Sequence, residues 1–264
     1  MNSNNHSFTH IIVGAGSAGC LLANRLTNSK ANRVLLIESG DWDTGFWLKL
    51  PVGYYRTMNN HSVSRHFSTE GCDGTAGRSI NWPRGHVIGG SSSINGLIFI
   101  RGQRDDFDAW AALGNTGWSY DEVLPYFRKF ERFNGKQSQF RGQYGELKVS
   151  KLRNQHPHCQ AWMEAAKNFG LPSNEDFNSE TTFGVGEYNL SIGNRWRSSS
   201  ATAFLKPAKK RSNLEVWTKT FVEKVLFDGK RAIGVEIKFA NEISRVFATA
   251  EIILSAGAIQ SPQI

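Results

Sequence analysis

Gly14-Ala15-Gly16-Ser17-Ala18-Gly19 is the first stretch of the chain able to hold a phosphate. It follows the apolar run of Phe8–Val13 and precedes Cys20–Leu26, where apolar residues recur at helical spacing. Strand, G-x-G-x-x-G and helix, in that order, make a dinucleotide-binding loop. Gly14 permits the tight turn, Gly16 lets the backbone approach a pyrophosphate, and Gly19 lets the helix pack on the strand. The helix start, with Ser17 and Ala18, offers free N–H groups and a partial positive charge to phosphates. A second strand, Arg33–Ile37, ends in Glu38, 19 residues past Gly19. An acid there can accept hydrogen bonds from a ribose, and it disfavours a 2′-phosphate and hence NADP. The pattern does not separate FAD from NAD. A glycine-rich α/β turn that binds nothing has the same pattern.

A second glycine segment spans Asn81 to Gly102, NWPRGHVIGGSSSINGLIFIRG. Ile94, Leu97 and Ile98 stand at i, i+3 and i+4, which predicts a helix with a serine-rich start after Gly89-Gly90. Serine hydroxyls cap such starts, and the same donors could serve a phosphate or a flavin edge. A capped helix and a ligand site fit these residues equally.

The segment resembles the first signature of the glucose-methanol-choline (GMC) oxidoreductases, through Gly85, Ile88, Gly89, Gly90, Ser91, Ser92, Ile94 and Asn95. Arg101-Gly102 and Asp105–Trp110 resemble its continuation. Arg197–Leu205, Asn213–Val216 and Gly257–Ile264 resemble later family stretches, so the likeness covers nearly the whole chain. Among subgroups it is similar to choline-dehydrogenase-like bacterial members. His86 departs from the pattern, which carries Lys or Arg there.

The resemblance implies an α/β fold: an FAD-binding, Rossmann-like domain of the glutathione-reductase type with a β-meander, plus part of an α+β substrate domain. The expected boundaries are 1–144 and 206–264 for the FAD-binding domain and 145–205 for the substrate part. Gly85, Gly89, Gly90, Ser91, Ser92, Asn95 and Gly96 become the flavin contacts. Val222 meets adenine through its backbone or is simply a buried strand residue, and both can hold. Gly257 falls near the cofactor. Ile94 stands where some members carry a flavin-linking histidine, so FAD is expected to be non-covalent; His86 is a remote covalent candidate. The implied reaction passes a hydride from a small-molecule alcohol to flavin N5, with oxygen, a quinone or another carrier as acceptor. The family's histidine base lies past Ile264 and no histidine here matches it, so no catalytic residue is assigned. The chain is expected to be an N-terminal part, inactive and poorly soluble alone. A disulfide reductase would want a C-x-x-x-x-C pair near the first loop, and a NAD dehydrogenase would not need the second segment. A nucleotide-binding fragment without catalysis is the remaining alternative.

Around these motifs, 264 residues allow one large domain or two small ones, and 17 Phe and 8 Trp supply core material. The net charge of +8 is scattered. Its densest run, Lys206–Arg211, reads as a solvated helix end rather than a nucleic-acid surface. Cys20, Cys72 and Cys159 are odd in number and far apart, suggesting neither a disulfide framework nor a zinc site. They fit a reducing compartment, hence a cytoplasmic chain, free or held at a membrane face. Met1–His10 lacks a signal-peptide core, and no apolar stretch is long enough to span a bilayer. Residues 41–110 read as a Gly- and Trp-rich lid and flavin loop. Helices are expected over Tyr120–Phe133 and Cys159–Phe169. Strands Phe221–Phe227 and Arg231–Phe239 flank an Asp228-Gly229 hairpin turn. Val246–Ser255 adds a third strand, whose end at Glu251–Leu254 reads as buried. His156-Pro157-His158 reads as a surface loop with no metal-ligand spacing, and His6, His10, His61 and His66 as isolated.

Overall fold

The computed structural model describes residues 8–152 and 155–264. The reading of Met1–His10 as lacking a signal peptide, and of His6 as isolated, falls largely or wholly outside them. The chain divides into two compact units, Met1–Gly96 with Ser199–Ile264, and Leu97–Ser198. The smaller unit thus begins well before the expected residue 145. Residues 97–144 belong to it because their helices and buried arginines pack with residues up to 198.

The larger unit is built on a sheet of six strands. They are β1 (Phe8–Val13), β2 (Val34–Ile37), β5 (Leu214–Trp217), β6 (Phe221–Asp228), β7 (Arg231–Phe239) and β8 (Glu242–Leu254), in the order β6-β7-β8-β1-β2-β5. The skipped labels are a separate antiparallel pair, β3 (Ser64–Ser68) and β4 (Asn81–Gly85), inside the expected lid. β2 is buried at every residue, and Ile11 and Ile12 of β1 are fully buried. Continuous apolar runs of this kind suit parallel strands covered on both faces. β1 pairs parallel with β2 and with β8, and β2 pairs parallel with β5. β6, β7 and the first half of β8 form the antiparallel meander, its first turn closing at Asp228↔Arg231.

β8 changes partner along its length. Residues 242–247 pair with β7, and Ala248–Leu254 pair with β1. One strand therefore carries the chain from meander to parallel sheet. Its second half is not the buried strand expected: Ile252 and Ile253 are half-buried and Leu254 is 40% exposed. Among the described residues only β1 pairs with that half, and Leu254 borders the cavity described below.

Helix α1 (Ser17–Leu26) packs between β1 and the segment Ala201–Leu205. Asn24 Nδ2 donates to Phe204 O at 2.8 Å. Arg211 donates to Asn24 O at 2.5 Å and to Thr27 Oγ1 at 2.7 Å. A cation on the last carbonyls of a helix complements its negative end. The basic run 206–211 therefore ends in a docked arginine rather than a wholly solvated one.

In the smaller unit, α2 (Arg104–Ala112) and α3 (Tyr120–Phe130) bury Phe107, Tyr120 and Val123 between them. α3 stops three residues short of the expected Phe133, because Glu131–Phe133 pairs as a strand with Leu147–Val149. The cause is Glu131 itself, which is fully buried. Its carboxylate meets Arg101 at 2.5 Å, Arg141 at 2.6 Å and the Gly142 N–H at 2.9 Å, and Arg141 also meets Asp176 at 2.8 Å. α4 (Pro157–Asn168) takes in the histidine pair: His156 is its N-cap, accepting from the His158 N–H at 3.2 Å. That pair starts a helix, with Pro157 suited to its first turn, and is not a free loop. His61 and His66, read as isolated, lie side by side, tilted, with ring centroids 4.3 Å apart. No helix among the described residues is long and apolar enough to cross a membrane.

Candidate cofactor-binding site

A cavity of about 730 Å³ lies within the larger unit at the carboxyl ends of β1, β2 and β8. In open α/β sheets this is where ligands bind. The first glycine loop forms its floor. Gly14 has φ +98°, and a Cβ there would lie 2.5 Å from Ser255 O, so the turn after β1 requires glycine. Gly16 is the N-cap of α1 and offers no side-chain cap, and the helix has no acidic residue in its first turn. Gly16, Ser17 and Ala18 line the cavity, leaving the helix start with the donors and partial charge that favour an anion. Gly19 does not line it; a Cβ there would run into the Gly14 carbonyl, so its work is helix–strand packing.

The second glycine segment is held directly on the first. The Gly89 N–H donates to Ala15 O at 2.7 Å. Gly90 has φ +53°, and a Cβ on it would lie 2.7 Å from the Gly16 Cα. Two turns that meet across 74 residues of sequence thus touch backbone to backbone and wall the same cavity, which Gly85, Gly90 and Ser91 also line. The helix expected after them is absent. Gly90–Ser93 makes one 3-10 turn, and Leu97 lies at φ +67°, outside helical backbone. The apolar spacing misleads because Ile94 and Leu97 are each buried but Ile98 is 53% exposed. The serines serve the turn: Ser92 Oγ donates to Gly89 O at 2.6 Å and accepts from the Ser200 N–H, and Ser91 Oγ accepts from the Gly85 N–H.

Glu38 is buried at the rim, and its carboxylate braces the loop. Oε2 accepts from the Ala15 N–H and Oε1 from the Gly40 N–H, each at 2.9 Å. Burial raises its pKa, opposed by those two N–H groups and by the charge of Arg65. Ser39 Oγ also donates to Oε1, at 3.5 Å, so Oε2 is the oxygen with a lone pair left for a hydroxyl group. Val222 is buried in the core with Phe8 and Ile237 and borders the cavity as well, so neither of its two readings displaces the other. Gly257, at φ +91°, lines the wall at the start of the turn Gly257–Gln260. Gly89, Ser92, Asn95 and Gly96 are not on the cavity wall; Asn95 and Gly96 are exposed. Sequence reading missed Arg84, Thr220, Phe221 and Ala256, which are. Arg84 precedes the first signature glycine and Phe221 precedes Val222, so adjacency was the signal available for both.

Residues 8–264 match the GMC oxidoreductase family. The chain is 41% identical over 267 residues to the mitochondrial choline dehydrogenase of Homo sapiens, covering 97% of this chain and 44% of that protein. It is 39% identical over 262 residues to the oxygen-dependent choline dehydrogenase of Photobacterium profundum, covering 98% and 46%. It superposes on the crystal structure of pyridoxine 4-oxidase from Mesorbium loti with a TM-score of 0.92 at 35% identity, covering 98% of this chain and 50% of that one. The chain therefore spans about half the length of these relatives.

Proposed function

The chain belongs to the GMC oxidoreductases, and from that premise we propose that it forms the FAD-binding part of an enzyme that oxidises the CH–OH group of a small alcohol. The observation that carries this reading is the contact of the two glycine turns, Gly16 against Gly90, over one cavity. A turn that binds a diphosphate needs the first loop alone; the second supports a cofactor extending beyond it. Bound there, FAD supplies the acceptor for a hydride from the alcohol carbon. The residues of this chain bind and orient. The uncapped start of α1 faces the diphosphate, Glu38 receives ribose hydroxyls, Val222 offers backbone to adenine, and Gly85, Gly90 and Ser91 approach the flavin side. Asn95 and Gly96, which close the same signature, are the further flavin-side residues. Ile94 carries no nucleophile, so the cofactor is held without a covalent bond.

The relatives' names, for choline and for pyridoxine, support a small alcohol as substrate. Among the described residues no histidine lines the cavity. The test has two parts. Titrating FAD into the purified chain should quench flavin fluorescence with a saturable, one-to-one isotherm and no label surviving denaturation. The protein carrying this chain together with the remaining half of its relatives' length should reduce an artificial acceptor with one of a panel of small alcohols, choline included. FAD binding no tighter than to a denatured control would sink the proposal. So would a holoprotein that bleaches with NADH but with no alcohol.

A further inference from the structure

Three glycines meet backbone to backbone beside the start of α1. Gly90 lies on Gly16, and a Cβ on Gly85 would in turn run into the Gly90 carbonyl carbon. The Gly85 N–H also donates to Ser91 Oγ at 3.1 Å. The end of β4 is therefore seated against Gly90 and, through Gly90, against the first glycine loop. Arg84 is the residue that this seating carries to the cavity wall. Among the described residues it is the one cation on that wall, which also bears Glu38 and Glu223. Arg84 stands directly opposite Arg65 in the β3–β4 pair, and like charges in that relation destabilise a hairpin unless something negative faces them. Among the described residues neither arginine forms an ion pair with a carboxylate. Arg84 is half-buried, with its guanidinium 4.4 Å from the Trp82 ring centroid. Its Nη1 donates to Pro83 O at 2.9 Å, and its other N–H groups meet no acceptor among the described residues.

We propose that Arg84 binds the diphosphate of the cofactor and is its counter-charge in a wall whose other charged groups are acids. The inference rests on the FAD reading above. The start of α1 offers the diphosphate N–H groups and a partial charge from one side. A guanidinium with donors to spare offers a full charge from the other, in the planar fork that suits two phosphate oxygens. The Trp82 ring lies against that fork and the glycine contacts fix the backbone beneath it, so little freedom is lost when the ligand arrives. Arg65 has a different setting. It does not line the cavity, and its guanidinium is held 5.3 Å from the Phe221 ring centroid and 3.4 Å from His86 Nε2. The two opposed arginines are therefore unequal: one rests on protein groups, and the other is turned to the ligand.

A direct contact and a merely structural role separate by ligand. FAD is titrated by fluorescence quenching into the wild-type chain and the variants R84M, R84K and R65M, with circular dichroism confirming each fold. ADP and adenosine are measured by displacement of the bound FAD, and each FAD titration is repeated from about 0.01 to 0.15 M salt. R84M should lose about tenfold to a hundredfold in affinity for FAD and for ADP alike, the size of one hydrogen-bonded contact to a charged group. Adenosine, which carries no phosphate, should bind R84M as it binds wild type. The fall of FAD affinity with salt should flatten in R84M. R84K should restore that salt dependence and part of the affinity, because lysine keeps the charge but not the fork. R65M removes the same charge from the same face and should follow wild type. A loss in R84M equal for ADP and adenosine means a merely structural wall and overturns the proposal. So does R65M losing as much FAD affinity as R84M, or a lysine that restores neither affinity nor salt dependence. If R84M fails to fold, R84Q takes its place under the same criteria. Wild type that binds neither FAD nor ADP refutes the functional reading itself, whereas wild-type FAD affinity in R84M refutes this inference alone.

Discussion

At the scale of single residues, the site separates glycines that must be glycine from those that need not be. Gly90 meets Gly16 where a Cβ has 2.7 Å of room, in left-handed backbone. Gly96, six residues on in the same signature, has nothing within 4 Å of a Cβ and no positive φ. Gly90→Ala should therefore cost about 1–3 kcal/mol of stability and at least about tenfold in FAD affinity, by parting the two turns. Gly96→Ala should change stability by less than about 0.5 kcal/mol. Urea midpoints and flavin quenching read both, and equal losses at the two positions would contradict the packing described. Glu38 gives a pH dependence of opposite sense to that of a salt-bridged acid. Burial raises its folded pKa, so only between the ordinary carboxylate value and the raised one does the native chain without cofactor hold a proton that the unfolded chain has released. Its contribution to stability should fall as the pH rises from the ordinary carboxylate range through the raised folded value. Urea midpoints measured across pH should show this decline, and E38Q should flatten it.

At the scale of elements, what the sequence made legible was set by periodicity, and what it hid was set by long-range contacts. β1, β2 and α1 were legible because continuous apolar runs and helical spacing flank a glycine loop. The meander was legible through its Asp228-Gly229 turn, with Gly229 at φ +58°. The false helix at Ile94, Leu97 and Ile98 arose because three apolar residues kept helical spacing over a backbone that Gly89, Gly90 and Leu97 turn left-handed. Glu38 was legible as an acid at a strand end, but not as the brace on Ala15. The early start of the smaller unit was hidden because Arg101, Glu131, Arg141 and Asp176 carry no local pattern; only the fold brings them together. That network yields a prediction of its own. Glu131→Gln leaves two buried guanidiniums without their shared charge and should destabilise the smaller unit by about 3–5 kcal/mol. Glu164→Gln, at the exposed pair with Lys167, should cost less than about 1 kcal/mol. Similar urea midpoints for the two variants would mean that the buried network holds nothing together.

At the scale of the whole molecule, the cavity wall is drawn from segments that lie at opposite ends of the sequence. Gly14–Ala18 comes near the start, Arg84–Ser91 from near the end of the first hundred residues, Thr220–Glu223 from the meander, and Ser255–Gln260 from the turn after β8. Each segment lies at the end or the start of a strand or at the start of a helical turn, so the sheet fixes their backbones around the cavity. A ligand that binds only the folded chain must then stabilise it by mass action, by about 2.7 kcal/mol at a hundredfold excess over its Kd. Because all four segments touch one cavity, the gain should register at all four. Hydrogen exchange with saturating FAD should slow amides at Ala15–Ala18, Gly85–Ser91, Phe221–Glu223 and Ala256–Ala258 together. The exposed surface of α4 should exchange as before. Protection limited to the first glycine loop would mean that only a diphosphate is gripped. The contact between Gly16 and Gly90 would then be a packing detail of the fold, with no part in holding the rest of a dinucleotide.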